Sequence, residues 1–93
     1  MIKTFKDGET QKVFLREFSL KLPLSIQQAA LRKLRMLNNA DNIEDLRIPP
    51  ANHLEKLKKD RTGQHSIRIN EQWRVCFEWR GNNAYNVEIA DYH

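Results

Sequence analysis

The sequence predicts an α+β fold, with two N-terminal helices packed on one face of a small twisted, mainly antiparallel β-sheet. Three observations predict it. Apolar residues recur every three or four positions up to about Asn38, they alternate with polar residues from His53 onward, and turn residues separate the alternating runs. A helical half followed by a strand half is the pattern of a helix layer laid over a sheet.

"MIKTF" reads as a short, partly β-branched first strand. After Asp7 and Gly8 the pattern turns helical, with Val13, Phe14, Phe18 and Leu22 on one stripe and Lys12, Arg16 and Glu17 between them. Pro23 interrupts it. A second helix runs to about Asn38 with Ile26, Ala30, Leu34 and Leu37 on one face. Ser25 and Gln28 have capping-box spacing, and Pro23 equally suits the opening of that helix. "NNADN" ends it, "IEDL" offers one further helical turn, and "IPPAN" breaks any helix. "HLEKL" then reads as a short strand and "KKDRTG" as a turn, followed by the alternating runs "QHSIRI", "WRVCFEW" and "AYNVEIADY". The expected order is β-α-α-β-β-β-β in one domain spanning residues 1–93, without repeats or linkers.

Register follows from the alternation. The core-facing sets are expected to be Ile67 and Ile69; Trp73, Val75, Phe77 and Trp79; and Tyr85, Val87 and Ile89. A slip of one residue would turn each set to water, so the sets must oppose one another. Three-residue loops, "NEQ" and "GNN", achieve this. Arg68 then lies across from Arg74 on the other face, Phe77 faces Val87, Cys76 faces Glu88, and Arg74 faces Ala90 with Tyr92 beyond. Opposed like charges repel. Both arginines splay into water, or Glu88 relieves one of them, or they form a paired guanidinium site for phosphate. Strict alternation sends Asp91 and His93 to the opposite side, although a strand end need not keep the pleat.

Composition narrows the chemistry. Sixteen Lys and Arg stand against twelve Asp and Glu, a balance that favours a polyanionic partner. No apolar run is long enough for a membrane span, and "MIKTFKDGET" lacks the apolar stretch of a signal peptide. The lone Cys76 excludes an internal disulfide and suits a reducing cytosol, so the expectation is a cytoplasmic protein with no membrane association. His53, His65 and His93 lack the spacing of a zinc site. Cys76, in mid-strand, reads as a packed thiol rather than a nucleophile. A glycine-rich phosphate loop is absent from a chain with three glycines, so neither metal nor cofactor is expected.

Metal-free RNA cleavage fits what remains. It needs a base near the 2′-hydroxyl, an acid near the leaving 5′-oxygen, and cations for the developing charge. Asp91, Tyr92 and His93 can supply proton transfer and orientation, and Arg68 and Arg74 can supply charge. Lys58, Lys59 and Arg61 in the basic turn suit flanking phosphates. Arg74, expected to point outward, is read as serving charge rather than packing. Trp73 and Trp79 share the apolar parity and read as core aromatics.

"KKDRTGQHSIRINEQWRVCFEW" with the terminal "VEIADYH" resembles the HigB toxins, the plasmid-maintenance killer group of the RelE/ParE-like superfamily. The resemblance spans essentially the whole chain. It implies a small α+β domain acting as a ribosome-dependent endoribonuclease that cuts translated mRNA. It also implies a partner antitoxin, HigA-like with a helix-turn-helix domain, and through that complex an indirect hold on operator DNA. Residue by residue, it carries a catalytic role to Asp91, Tyr92 and His93 and to the sheet arginine Arg74. Some relatives place a functional histidine in the strand before the basic turn, where this chain has Glu55, with His53 two residues earlier on the same pleat face. Either is a candidate for that role. The alternative is a superfamily toxin that poisons a protein such as gyrase without cutting RNA, or a plain RNA-binding module.

Overall fold

The computed structural model describes residues 1–91. Helix α1 (Gly8–Phe14) precedes α2 (Leu24–Asn39), and four strands follow: β1 (Glu55–Lys56), β2 (Gln64–Arg68), β3 (Trp73–Arg80) and β4 (Asn83–Asp91). Short 3₁₀ turns at Ile43–Arg47, Pro50–Asn52 and Lys59–Arg61 make the connections. The strands form an antiparallel sheet in the order β1-β2-β3-β4.

Helix α1 starts where Asp7 accepts a hydrogen bond from the Thr10 amide at 2.7 Å, a side-chain N-cap. It stops at Phe14, well short of the expected Leu22, because the chain turns left-handed at Arg16 (φ 63°). The stripe of Phe18 and Leu22 was therefore not helical. Leu22 still packs against the core, but Phe18 is 56% exposed. Helix α2 matches its expected span, with Ile26, Ala30, Leu34 and Leu37 all buried. Pro23 is its N-cap residue and no side chain caps it, so the Ser25–Gln28 box does not form. "IEDL" becomes a 3₁₀ turn with its own capping box from Asn42 and Asp45.

The first predicted strand is reduced to two parallel bridges, Ile2–Ala84 and Phe5–Val87, along the outer edge of β4. That edge is nonetheless covered. The amides of Ala84 and Val87 donate to the Met1 and Thr4 carbonyls, and those of Asn86 and Ile89 to the Thr4 and Thr10 hydroxyls. An edge so capped offers no template for another strand.

The first hairpin has the expected register, Arg68 opposite Arg74, across a three-residue loop in which Asn70 Oδ1 accepts from the amides of Gln72 and Trp73. The second is as expected where Arg74 meets Ala90 and Cys76 meets Glu88, but it shifts by one residue between Cys76 and Glu78. The extra residue is Asn86, left-handed at φ 52°, bonded through Nδ2 to Glu78 Oε2 (2.6 Å) and through its amide to Thr4. The loop consequently shortens to Gly81–Asn82, both with positive φ, the primed-turn geometry that matches strand twist. Tyr85 is the casualty of this shift. It was expected in the core, but Ala84 is buried there instead, and Tyr85 lies opposite Glu78 with the Arg80 guanidinium 4.1 Å from its ring centroid.

The core thus lies between α2 and one sheet face, where Ile67, Val75, Phe77, Val87 and Ile89 are buried, and Trp73 and Trp79 pack against it as expected. Among the described residues, the opposite face carries a small apolar patch of Leu57, Cys76 and Ala90. No helix among the described residues is long and apolar enough to cross a membrane.

A basic sheet face as candidate nucleic-acid interface

Alternation puts Glu55, Ser66, Cys76 and Glu88 in one row across the helix-free face, with Arg68, Arg74 and Ala90 in the next. A sheet face without a helix layer is where a broad ligand can lie, and its charges sort into anchored and exposed groups.

Arg74 is the anchored one. Rather than pointing outward, it is 8% exposed. Its Nε donates to the buried Ser66 Oγ at 2.7 Å, its Nη2 donates to the His53 carbonyl, and its Nη1 lies 3.9 Å from Glu55 Oε1. The expectation of an outward arginine that serves charge alone is corrected on this point. The segment Pro50–His53 folds over the sheet edge, and burying a guanidinium requires that its N–H groups be met. Arg68, directly opposite, remains half-exposed and stands 4.0 Å from Glu71. Their mutual repulsion is offset by these separate acidic neighbours rather than by Glu88.

Glu88 instead holds two other cations, Lys6 at 3.2 Å and Arg61 at 3.5 Å. Arg61 also donates to Gln64 Oε1 at 3.2 Å, so it lies across the sheet rather than out in the turn. Lys58 and Lys59 stay exposed, and with Glu55, Lys56 and Leu57 they line a shallow recess at the β1 edge. Cys76 sits beneath this charge ring. Burial pushes its thiol above the usual range despite nearby Arg61 and Arg74, and a protonated buried thiol is inert.

The two candidates upstream of the basic turn separate cleanly. Glu55 belongs to β1, opposite Ser66, on the arginine face. His53 is the left-handed residue (φ 44°) that ends the Pro50–Asn52 turn, so pleat alternation does not reach it, and what it gives to the face is its carbonyl. Asp91 keeps the strand alternation. It pairs with Trp73, off the arginine face, and accepts from Gln72 Nε2 at 3.0 Å. Tyr92 and His93 lie outside the described residues. The helix-free face therefore gathers Arg61, Arg68, Arg74 and Glu55, with Lys58 and Lys59 at its margin.

Two contributors were not anticipated, Ser66 and Gln72, while Glu88, expected to relieve Arg68 or Arg74, brackets Lys6 and Arg61 instead. Ser66 was legible in principle, since the register that sets Arg68 against Arg74 also puts Ser66 diagonal to Arg74. Gln72 sits in a loop, where no periodicity points to it. Among the described residues no cluster of three or more His, Cys, Asp or Glu is arranged to hold a metal ion.

Comparison with known proteins agrees with this architecture. Residues 3–93 match the family model described as the RelE-like toxin of the type II toxin-antitoxin system HigB. Over 68 residues, 73% of this chain and 72% of the other, the chain is 45% identical to Toxin HigB-1 of Vibrio cholerae serotype O1. It is 29% identical to Endoribonuclease HigB of Proteus vulgaris over the full length of both. The fold superimposes on a toxin–antitoxin structure, the YoeB-YefM complex from Staphylococcus aureus, with a TM-score of 0.60 at 19% identity, covering 100% of this chain and 98% of the matched one. With the family model spanning nearly the whole sequence, the chain belongs to the HigB-like, RelE-like toxins of type II toxin–antitoxin systems.

Proposed function

We propose that this toxin is an endoribonuclease that cuts mRNA on the translating ribosome, in the cytoplasm, by metal-free attack of the RNA's own 2′-hydroxyl. The single observation that carries the reading is Arg74. A guanidinium buried at 8% exposure and held by Ser66 and the His53 carbonyl is preorganised, and a preorganised cation stabilises developing charge without reorganising.

In this reading Arg74 and Arg68 take the charge on the scissile phosphate, while Lys58, Lys59 and Arg61 hold flanking phosphates. Tyr92 and His93 handle the protons, and Asp91, turned off the arginine face, serves orientation rather than proton transfer. A base removes the 2′-hydroxyl proton as the 2′-oxygen bonds to phosphorus, and an acid protonates the 5′-oxygen as its bond to phosphorus breaks. The products are a 2′,3′-cyclic phosphate and a 5′-hydroxyl. Glu55 is favoured over His53 for the upstream role, because its carboxylate faces Arg74 at 3.9 Å.

The toxin's partner is an antitoxin with a helix-turn-helix domain, and through it the pair holds the operator DNA of its own operon. Mapping RNA 5′-ends after brief induction tests the reading. New 5′-hydroxyl ends inside translated frames support it. Growth arrest with unchanged ends and accumulating gyrase–DNA adducts would favour a protein-poisoning toxin instead.

A further inference from the structure

Asn52 is the least expected residue of the turn that closes over the sheet edge. It is polar yet fully buried, and a buried carboxamide persists only where its hydrogen bonds are met. Its Oδ1 accepts from the Lys33 ammonium of α2, and its Nδ2 donates to the Leu46 carbonyl at 3.1 Å and lies 3.8 Å from Met36 Sδ. Lys33 is half-buried, and no carboxylate among the described residues stands within ion-pair distance of it. Burial, and after it the charge of Arg32, holds its pKa below the ordinary 10.5. Desolvating an ammonium to serve a neutral amide is unfavourable in itself. A loop that had only to connect α2 with β1 would need no such anchor.

What the anchor holds in place is one carbonyl. The Asn52 amide donates to the Pro49 carbonyl (2.9 Å) and the His53 amide to the Pro50 carbonyl (3.0 Å), which closes the turn. His53 is left-handed at φ 44°, a conformation that a residue other than glycine keeps only where its surroundings impose it. On its far side Leu54 packs against the core. Pinned at Asn52 and at Leu54, the chain between them points the His53 carbonyl at Arg74 Nη2. Without that carbonyl the guanidinium keeps Ser66 as its one hydrogen-bond partner among the described residues.

We propose that Asn52, fastened by Lys33, is a positioning residue for RNA cleavage. It fixes the turn that aims the His53 carbonyl, and through that carbonyl it holds the Arg74 guanidinium at the scissile phosphate. Lys33 thereby acts from the helix layer on the helix-free face, and neither residue needs to touch the RNA. The proposal rests on the reading of Arg74 given above.

The test is single-turnover cleavage on programmed ribosomes by Asn52→Ala, Lys33→Met and Arg74→Lys, and by each of the first two combined with Arg74→Lys. All are measured below their melting transitions. Asn52→Ala should lower the saturating rate by about 30-fold and Lys33→Met by about 10-fold, within the ~100-fold that a misplaced group costs. The toxin concentration giving half that rate should stay within about twofold, because Arg68, Lys58 and Lys59 keep their places. A purely structural role would lower Tm and leave the saturating rate alone. In the Arg74→Lys background, where the planar fork is already gone, either change should slow cleavage by less than about threefold, as residues acting through one group require. Wild-type saturating rates in folded Asn52→Ala and Lys33→Met overturn the proposal. So do losses that multiply in full with that of Arg74→Lys. If Asn52→Ala does not fold, Lys33→Met decides by the same two criteria. An Arg74→Lys protein that cuts at the wild-type rate removes the reading of Arg74 and the proposal with it.

Discussion

Replacing Arg74 should disturb the fold and the chemistry by separable amounts. In Arg74→Ala two hydrogen bonds from a charged donor disappear, to Ser66 Oγ and to the His53 carbonyl. Bonds to charged groups contribute about 1.5–3 kcal/mol each, and a buried hydroxyl left unpaired costs about 1–3 kcal/mol. The desolvation cost of the arginine is recovered when it is removed, so the net loss should be about 3 kcal/mol. For a domain of this size that lowers Tm by roughly 12–24 °C, taking about 4–8 °C per kcal/mol. Arg74→Lys keeps the charge but not the planar fork. It should lose well under half as much Tm and still cut RNA about 100-fold more slowly, the scale of one misplaced charge-stabilising donor. Arg68→Ala, at a half-exposed position, should leave Tm within a few degrees and slow cleavage less. The assays are thermal melting and single-turnover cleavage on programmed ribosomes. An Arg74→Ala protein with the wild-type Tm would refute the anchored-arginine argument, and an Arg74→Lys protein with full activity would remove the need for the fork.

Charge reversal of the exposed pair Lys58 and Lys59 should weaken ribosome association and flatten its salt slope together, as lost phosphate contacts require; an unchanged slope would make the recess mere surface. His65 is half-buried, stacked at 6.2 Å on Phe77, with Nδ1 unpartnered among the described residues, and burial lowers its pKa below the ordinary 6.5. Its stabilising contribution is thus complete above the ordinary value and lost as pH falls through the depressed one. Tm should fall from neutrality to about pH 5, and His65→Gln should flatten that part of the profile. Thr10→Val removes the acceptor for the Ile89 amide, a bond of 3.0 Å at a residue only 1% exposed. It should cost about 1–3 kcal/mol and speed hydrogen exchange at Ile89.

Strand identity and the pairing of Arg68 with Arg74 were legible because a period of two leaves one register that buries Ile67, Val75 and Ile89 together. Helix α2 was legible for the same kind of reason, an unbroken apolar stripe. The end of α1 was not, since its stop is a left-handed arginine rather than a glycine, and Ser19 is buried through a long-range clamp to Gln27 that no local pattern encodes. The Asn86 bulge was hidden because Tyr85 preserved an apparently perfect alternation. At the site, sequence located Arg74 on the right face but not its burial. That depends on the Pro50–His53 turn folding back over the sheet, a tertiary contact across 21 residues. The direction of Asp91 was open from sequence, and its pairing with Trp73 decides it.

The central claim is that this basic sheet face serves ribosome-dependent RNA cleavage with proton transfer from Tyr92 and His93. Single-turnover cleavage of one labelled mRNA, free and on programmed ribosomes, tests it most directly, with His93→Gln measured alongside. Wild-type toxin should cut the ribosome-bound message, leave a 5′-hydroxyl and spare the free RNA. His93→Gln should be slower by about 10²–10⁴-fold at an unchanged melting temperature, the usual worth of a positioned proton-transfer group. An intact ribosome-bound message, or a His93→Gln protein that cuts at the wild-type rate, would contradict the account.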